Sequence, residues 1–357
     1  MASEFEIIER YFSFSNNNAL GSASASSTVL GVGDDAACLK LGSEHLLVAT
    51  DTLVSGVHFP ADAEPVDIAS RALNVNLSDF AAMGAVPQWL TLALTLPDND
   101  EQWLSEFSAS LARGCAKYGV SLVGGDTTRG PLTVTFTVMG VPITARTSAV
   151  NDDPSFTAPS LNSAHCLRRS GAQAGDEVWV SGSLGKGAAA LQMITQNHTG
   201  RASWPLTDRQ RENLHAAFYA PVPQLRLGRA LVGVASAAID VSDGLLADAE
   251  HIASQSKVML ELNGDALPMH PALASLSDTV LAREWMLSGG DDYELFFTVP
   301  EKDHDKVVML AKTAGVSCTL IGKVFDAAAY DARHGERVIL NGDGWAKPNE
   351  VGFKHFK

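Results

Sequence analysis

Basic residues are scarce in this chain. Lys and Arg number 26 against 41 Asp plus Glu, a formal net charge of −15 over 357 residues. A nucleic-acid binder would normally present a basic face to phosphates, so that class is disfavoured. Cysteine is sparse too: Cys38, Cys115, Cys166 and Cys318 lie far apart with no CxxC pair, which argues against a disulfide scaffold or a zinc ribbon. No apolar run suits a bilayer, because the longest, residues 80–96, is broken by Gly84, Pro87 and Gln88. Residues 1–10 mix charged and apolar side chains, unlike a secretory leader, and the expectation is a cytoplasmic protein. With 46% hydrophobic and 19% charged residues the chain can bury a core, and its length suggests about two domains.

Familiar catalytic frames are also missing. Gly182-Ser183-Leu184-Gly185-Lys186-Gly187 fails the P-loop pattern, since Val180 stands where its first Gly belongs and Gly187 where Ser or Thr belongs. A tight strand-to-helix turn is the better reading. There is no GxGxxG, no HExxH, no EF-hand loop and no evident Ser/His/Asp or Cys/His frame.

What is present is Asp, placed beside glycine and apolar residues. It recurs in Gly33-Asp34-Asp35, Thr50-Asp51-Thr52, Leu77-Ser78-Asp79, Gly124-Gly125-Asp126, Asp240-Val241-Ser242-Asp243-Gly244 and Gly289-Gly290-Asp291-Asp292. Carboxylates beside apolar strands lose hydration unless they are protonated, hydrogen-bonded or paired with cations. Few Lys or Arg stand next to them in the sequence, which points to metal ions as the missing charge. Hard oxygen donors suit Mg²⁺ together with substrate phosphates.

Strand-like and helical patterns alternate, the mark of a mixed α/β protein. Helices are expected over 4–12, 66–83 and 101–118, with strands over 46–50, 89–96, 121–123 and 132–141. A Ser/Asn-rich stretch over 13–27 reads as a loop. A second domain is expected to carry strands over 177–180, 237–241, 258–262, 293–299 and 318–324. Its helices are expected after Gly187 and over 245–254 and 302–314. The domain boundaries are read as 1–146 and 166–357, with a linker or insertion over 147–165.

Asp51 and Asp126 both fall where an apolar strand is expected to give way to a loop, where ligands gather in open α/β sheets. Each is also a plausible turn or cap residue. Of the adjacent pair Asp34 and Asp35, only one should face a common site, because neighbours in an extended segment point to opposite faces. Asp79 sits near a helix C-terminus, where the macrodipole disfavours a carboxylate, and a cation partner or simple exposure would each explain it. Asp243 reads as a helix N-cap, whereas Asp240 has less structural excuse. Ser242 can donate to a phosphate near the helix start. His58 is either a substrate contact or a structural histidine.

Taken together in this order, these motifs resemble the thiamine-monophosphate kinase family of the PurM-like superfamily across essentially the whole chain, apart from 147–165. The resemblance implies an N-terminal α/β domain that dimerises through its strands to close a barrel, followed by a C-terminal α/β domain. It implies ATP-dependent phosphorylation of thiamine monophosphate to thiamine diphosphate. By position, Asp35, Thr50, Asp51, Asp79, Asp126, Asp240 and Asp243 match the family's Mg²⁺ ligands. Gly125, Asp126, Arg169 and Ser242 match its nucleotide contacts, with Tyr118 nearby. His58, Asp291 and Phe353 match its substrate contacts. Ala49 replaces a hydroxyl ligand of some relatives, Asp291 replaces a more familiar Glu, and Arg168 stands beside Arg169. Direct in-line transfer assisted by several Mg²⁺ ions is the expected chemistry, since a monophosphate acceptor is already largely ionised near pH 7. Siblings on the same scaffold, such as selenophosphate synthetase and aminoimidazole ribotide synthetase, are the nearest alternatives. A reactive Cys ahead of the Asp motifs, normal in the first, is not found before Cys38. A non-enzymatic metal-binding protein is the other class considered.

Overall fold

A computed structural model describes Ile8 and residues 27–143, 166–199, 204–276, 278–327 and 337–348. Phe353, the 147–165 linker and, apart from Ile8, the helix expected over 4–12 lie outside the described residues. Two six-stranded sheets organise the chain.

The first sheet holds β1 (Thr28–Leu30), β2 (Ala37–Leu41), β3 (Glu44–Val54), β4 (Val86–Leu96), β5 (Ser121–Arg129) and β6 (Thr133–Val141), in the order β1-β2-β3-β6-β4-β5. Its pairs are antiparallel except β4 with β5. The alternation expected in β6 appears as a regular half-buried, buried pattern, with Val134, Phe136 and Val138 in the core. Helices α1 (Pro65–Ala82) and α2 (Glu101–Tyr118) pack beside this sheet. Pro65 opens α1, and Gly84 follows it with φ 63°, a conformation that favours glycine. Asp100 caps α2 by accepting from the Gln102 and Trp103 amides, and Gly119 ends it in the left-handed region.

The second sheet holds β7 (Asp176–Ser181), β8 (Ala237–Asp240), β9 (Val258–Asn263), β10 (Leu295–Pro300), β11 (Cys318–Asp326) and β12 (Val338–Asn341), in the order β12-β9-β11-β7-β10-β8. Its helices are α3 (Lys186–Thr199), α4 (Asp208–Tyr219), α5 (Leu225–Leu231), α6 (Leu245–Ser256), α7 (Thr279–Ser288) and α8 (His304–Ala314).

Helix α1 is buried on almost every side, including Arg71, Asn74, Asn76 and Ser78, because it touches β3 and β6 of the first sheet and β8, α4 and α5 of the second half. Gly228 in α5 makes that approach possible: a β-carbon there would overlap the Ala81 carbonyl oxygen. Polar residues on a helix buried this way need partners. Those partners form the site. Among the described residues no helix is long and apolar enough to cross a membrane.

Two expected strand ends are corrected. β3 runs through Asp51 to Val54, paired to β6 with Asp51 opposite Phe136. β5 likewise runs through Asp126 to Arg129, paired to β4. Ladder pairing with a long neighbour outweighs the poor strand preference of a single Asp.

Candidate active site

The C-terminal half of α1 carries Asp79, and the end of β8 carries Asp240. Asp35 comes from the segment between β1 and β2. One carboxylate oxygen from each of these three residues lies within 4.8 Å of the other two. Two ionised carboxylates at that spacing repel by about 3–4 kcal/mol at an effective dielectric of about 20. Burial raises the Asp79 pKa well above its ordinary value, with Asp51, Asp240 and Asp35 adding to the rise. Asp240 is pushed up to about 7, chiefly by burial and then by Asp35. The Ser78 hydroxyl donates to Asp240 Oδ2 at 2.6 Å and partly offsets that rise.

One cation does reach the cluster. Arg169 donates from Nη2 and Nε to Asp35 Oδ1 at 2.6 and 3.2 Å, and its backbone amide donates to Asp34 Oδ1 at 2.9 Å. So Asp35 joins the cluster while Asp34 anchors the Arg169 main chain, although the segment bends here and is not an extended strand. Burial is the largest influence on Arg169 and works against its charge, yet Asp35, Asp240 and Asp248 together leave its pKa raised. Asp35 Oδ2 remains buried with no hydrogen-bond partner among the described residues. Three converging hard oxygen donors and that orphaned oxygen fit a divalent cation such as Mg²⁺.

Of the remaining expected ligands, Asp51 acts on this centre. The Asp51 amide is held by Asn76 Oδ1 at 3.1 Å, and its charge acts on Asp79 and Asp240. Thr50, its neighbour on β3, directs its hydroxyl to Thr137 Oγ1 at 3.0 Å on the other face of the strand. Gly125 and Asp126 lie on β5, which is exposed along its whole length. Gly125 has φ 146°, and a β-carbon there would overlap the Leu92 carbonyl oxygen, so close strand pairing alone requires glycine. Tyr118, at the end of α2, keeps a buried hydroxyl without a hydrogen-bond partner among the described residues.

Residues 33–142 match the family model of the AIR synthase related protein, N-terminal domain, and residues 173–335 that of its C-terminal domain. The thiamine-monophosphate kinase of Haemophilus influenzae is 37% identical over 355 residues, covering 99% of this chain and 98% of that protein. The chain belongs to the thiamine-monophosphate kinase family. The crystal structure of the Stenotrophomonas maltophilia K279a thiamine-monophosphate kinase superposes with a TM-score of 0.71 at 39% identity, covering 95% of this chain and 96% of that one. AaThiL complexed with AMPPCP and TMP superposes with a TM-score of 0.76 at 27% identity, covering 99% and 97%.

Several residues that hold this cluster and its loops in place were not singled out from sequence. Asp248, buried in the first turn of α6, accepts through Oδ2 from the amides of Ser242, Asp243 and Gly244 at 3.1, 3.2 and 3.1 Å. The Ncap residue is Gly244, which has no side chain, so the N-cap role expected of Asp243 is not filled; Asp248 instead holds the loop that leads into the helix. Burial raises the Asp248 pKa, with Asp243 and Asp240 adding to it. An acid in a helix's first turn was the available signal. The same loop receives the Asp291 amide on the Ser242 carbonyl and the Tyr293 amide on the Val241 carbonyl, both at 2.8 Å. The two Gly/Asp motifs of the second half are thus one unit.

The scarcity of adjacent cations is a property of sequence, not of space. Lys186 pairs with Glu294, which also accepts from Ser181 Oγ at 2.6 Å and Gln224 Nε2 at 3.1 Å. Asp292 accepts from the Gly185 and Gly187 amides at 2.8 and 3.0 Å, fixing the strand-to-helix turn, and burial pushes its pKa up to about 7. His58 accepts the Val54 amide on Nδ1 at 3.0 Å, which places the neutral ring's proton on Nε2.

Proposed function

We propose that the protein transfers the γ-phosphoryl group of ATP directly and in line onto the phosphate of thiamine monophosphate, giving thiamine diphosphate and ADP. The observation that carries this reading is the Asp35, Asp79 and Asp240 cluster with its orphaned Asp35 oxygen. It lies at the junction of the two halves, in a chain belonging to the thiamine-monophosphate kinase family. Donor and acceptor are both polyanions, so the site must offset their mutual repulsion. Several Mg²⁺ ions held by Asp35, Asp51, Asp79, Asp126, Asp240 and Asp243 would supply that positive charge. Thr50 does not join them, because its hydroxyl turns to Thr137 on the other face of β3. Gly125, Asp126, Arg169 and Ser242 are assigned to the nucleotide, and His58, Asp291 and Phe353 to the acceptor. Asp248 holds the Ser242 loop in place, and Arg169 is oriented by Asp34 and Asp35.

The fully exposed edge strand β5, which includes Leu122 and Val123, supports a homodimer through the first sheet, since unpaired edges of this kind are usually covered. Sedimentation of the purified protein as a monomer would remove that element.

A coupled ADP-release assay with thiamine monophosphate tests the activity, repeated on Asp126→Asn. Turnover that depends on the acceptor and collapses in the variant is the expected result. Unchanged turnover in the variant would count against the carboxylate set. Inversion at a chiral γ-phosphate is expected, and retention would overturn direct transfer.

A further inference from the structure

Arg71 belongs to none of the motifs that define the site, yet it connects two of them. It lies on α1 and is almost fully buried, at 3% exposure. Each part of its guanidinium meets a different chain segment. Nε donates to the His58 carbonyl at 3.0 Å, Nη1 to the Phe218 carbonyl at 2.8 Å, and Nη2 to Asp291 Oδ1 at 2.8 Å. The Phe218 ring stacks under it at 3.9 Å. Burial is the largest single influence and opposes its charge, but Asp291, Tyr293 and Tyr219 together leave its pKa raised.

A buried ion pair is weak evidence for stability, because apolar residues of similar volume often serve a core as well or better. A guanidinium with every face used is better suited to fixing geometry. What it fixes is specific. The His58 loop and Asp291 come from the first and second halves of the chain and carry the two described residues assigned to the acceptor. Asp291 has φ 59°, an unusual backbone conformation for a residue with a side chain. Its Oδ1 is taken both by Arg71 and by the Tyr293 hydroxyl at 2.9 Å. The carboxylate is therefore turned by two donors on one oxygen, with its side chain still 25% exposed.

We propose that Arg71 is a positioning residue for the acceptor pocket, setting the His58 loop and the Asp291 carboxylate at a fixed separation for the non-reacting part of the acceptor. Tyr293 is its auxiliary. This inference rests on the functional reading above, with the thiamine monophosphate pocket between His58 and Asp291. Arg71 does not touch the transferred phosphoryl group, so its loss should weaken acceptor binding and spare the nucleotide.

The test uses full-length Arg71→Lys, Arg71→Met and Tyr293→Phe, with KM for each substrate, kcat, calorimetric binding of thiamine monophosphate and thermal midpoints. Lysine keeps the charge but cannot hold three acceptors, so both Arg71 variants should raise KM for thiamine monophosphate about tenfold or more, with KM for ATP within about twofold. Tyr293→Phe keeps the ring and should raise the same KM about two- to fivefold, by loss of a charge-assisted hydrogen bond. That conservative variant covers the case in which the Arg71 variants fail to fold. A lowered thermal midpoint with both KM values unchanged, or equal rises in both, would overturn the proposal. Wild-type protein that neither binds nor phosphorylates thiamine monophosphate would instead sink the functional reading, and this inference with it.

Discussion

Arg169 aims two of its donors, Nη2 and Nε, at one oxygen of Asp35, at 2.6 and 3.2 Å, while the other oxygen of Asp35 stays buried without a hydrogen-bond partner among the described residues. The ion pair orients the carboxylate instead of saturating it. Asp35, grouped with Asp79 and Asp240, is thereby held ready as a ligand. Removing a ligand or its orienting partner typically weakens metal binding about 10- to 100-fold.

Asp35→Asn should therefore shift the Mg²⁺-dependent rise in thermal midpoint to at least about tenfold higher Mg²⁺. Arg169→Gln should shift it in the same direction by less, because the ligand survives but is no longer oriented. Thermal melts across a Mg²⁺ series check both. A wild-type midpoint indifferent to Mg²⁺ would contradict the cation site.

Asp248→Ala strips the acceptor from three consecutive amides beneath Asp240 and Ser242. Leaving buried donors unmet costs about 1–3 kcal/mol each, so a destabilisation of roughly 2–4 kcal/mol is expected after partial rehydration. Asp248→Asn retains an acceptor oxygen and should lose much less. Denaturant unfolding of the pair decides it; equal losses would mean that the charge, not the hydrogen bonds, holds the loop.

Gly228→Ala addresses the join between halves. Because the new methyl would overlap the Ala81 carbonyl oxygen, α5 and α1 must separate. Overpacking of this kind costs about 1–3 kcal/mol and often more against backbone. The thermal midpoint should fall, and KM for both substrates should rise, since α1 carries Asp79 as well as Arg71. A variant with wild-type stability and kinetics would show that the helices are free to slide.

Much of the fold was legible where local chemistry decides it. Asp100 and Gly119 fix both ends of α2, and alternating Thr and apolar residues mark β6. Helix α4 carried a readable signature, since Thr207 and Gln210 form a reciprocal cap, but the sequence reading left it unassigned. Short α5 has no side-chain cap and was missed as well. The carboxylates could be found from their glycine-rich settings. Their cations could not, because Arg71 and Asp291 are 220 residues apart and Arg169 and Asp35 are 134 apart. Strand ends at Asp51 and Asp126 were misplaced because ladder pairing, a non-local effect, overrides the local cost of Asp.

His270 gives a pH dependence whose sign follows from its hydrogen bond. Its Nδ1 accepts the Ala272 amide at 3.3 Å, so the ring must be neutral there; a proton on Nδ1 would set donor against donor. Burial, and then the charge of Lys186, lower its pKa to about 4 from the ordinary 6.5. Between those values the unfolded chain binds a proton that the folded chain refuses. Its stability contribution is thus complete above about pH 6.5, is lost as the pH falls, and is gone below about pH 4. Asparagine at this position can still accept the Ala272 amide but does not titrate. His270→Asn should therefore show a smaller fall in thermal midpoint between pH 7 and pH 5 than the wild type, with the two converging in slope above pH 7. An imidazole resonance from His270 titrating near 6.5 in the folded protein, or identical acid slopes for the two proteins, would remove the argument.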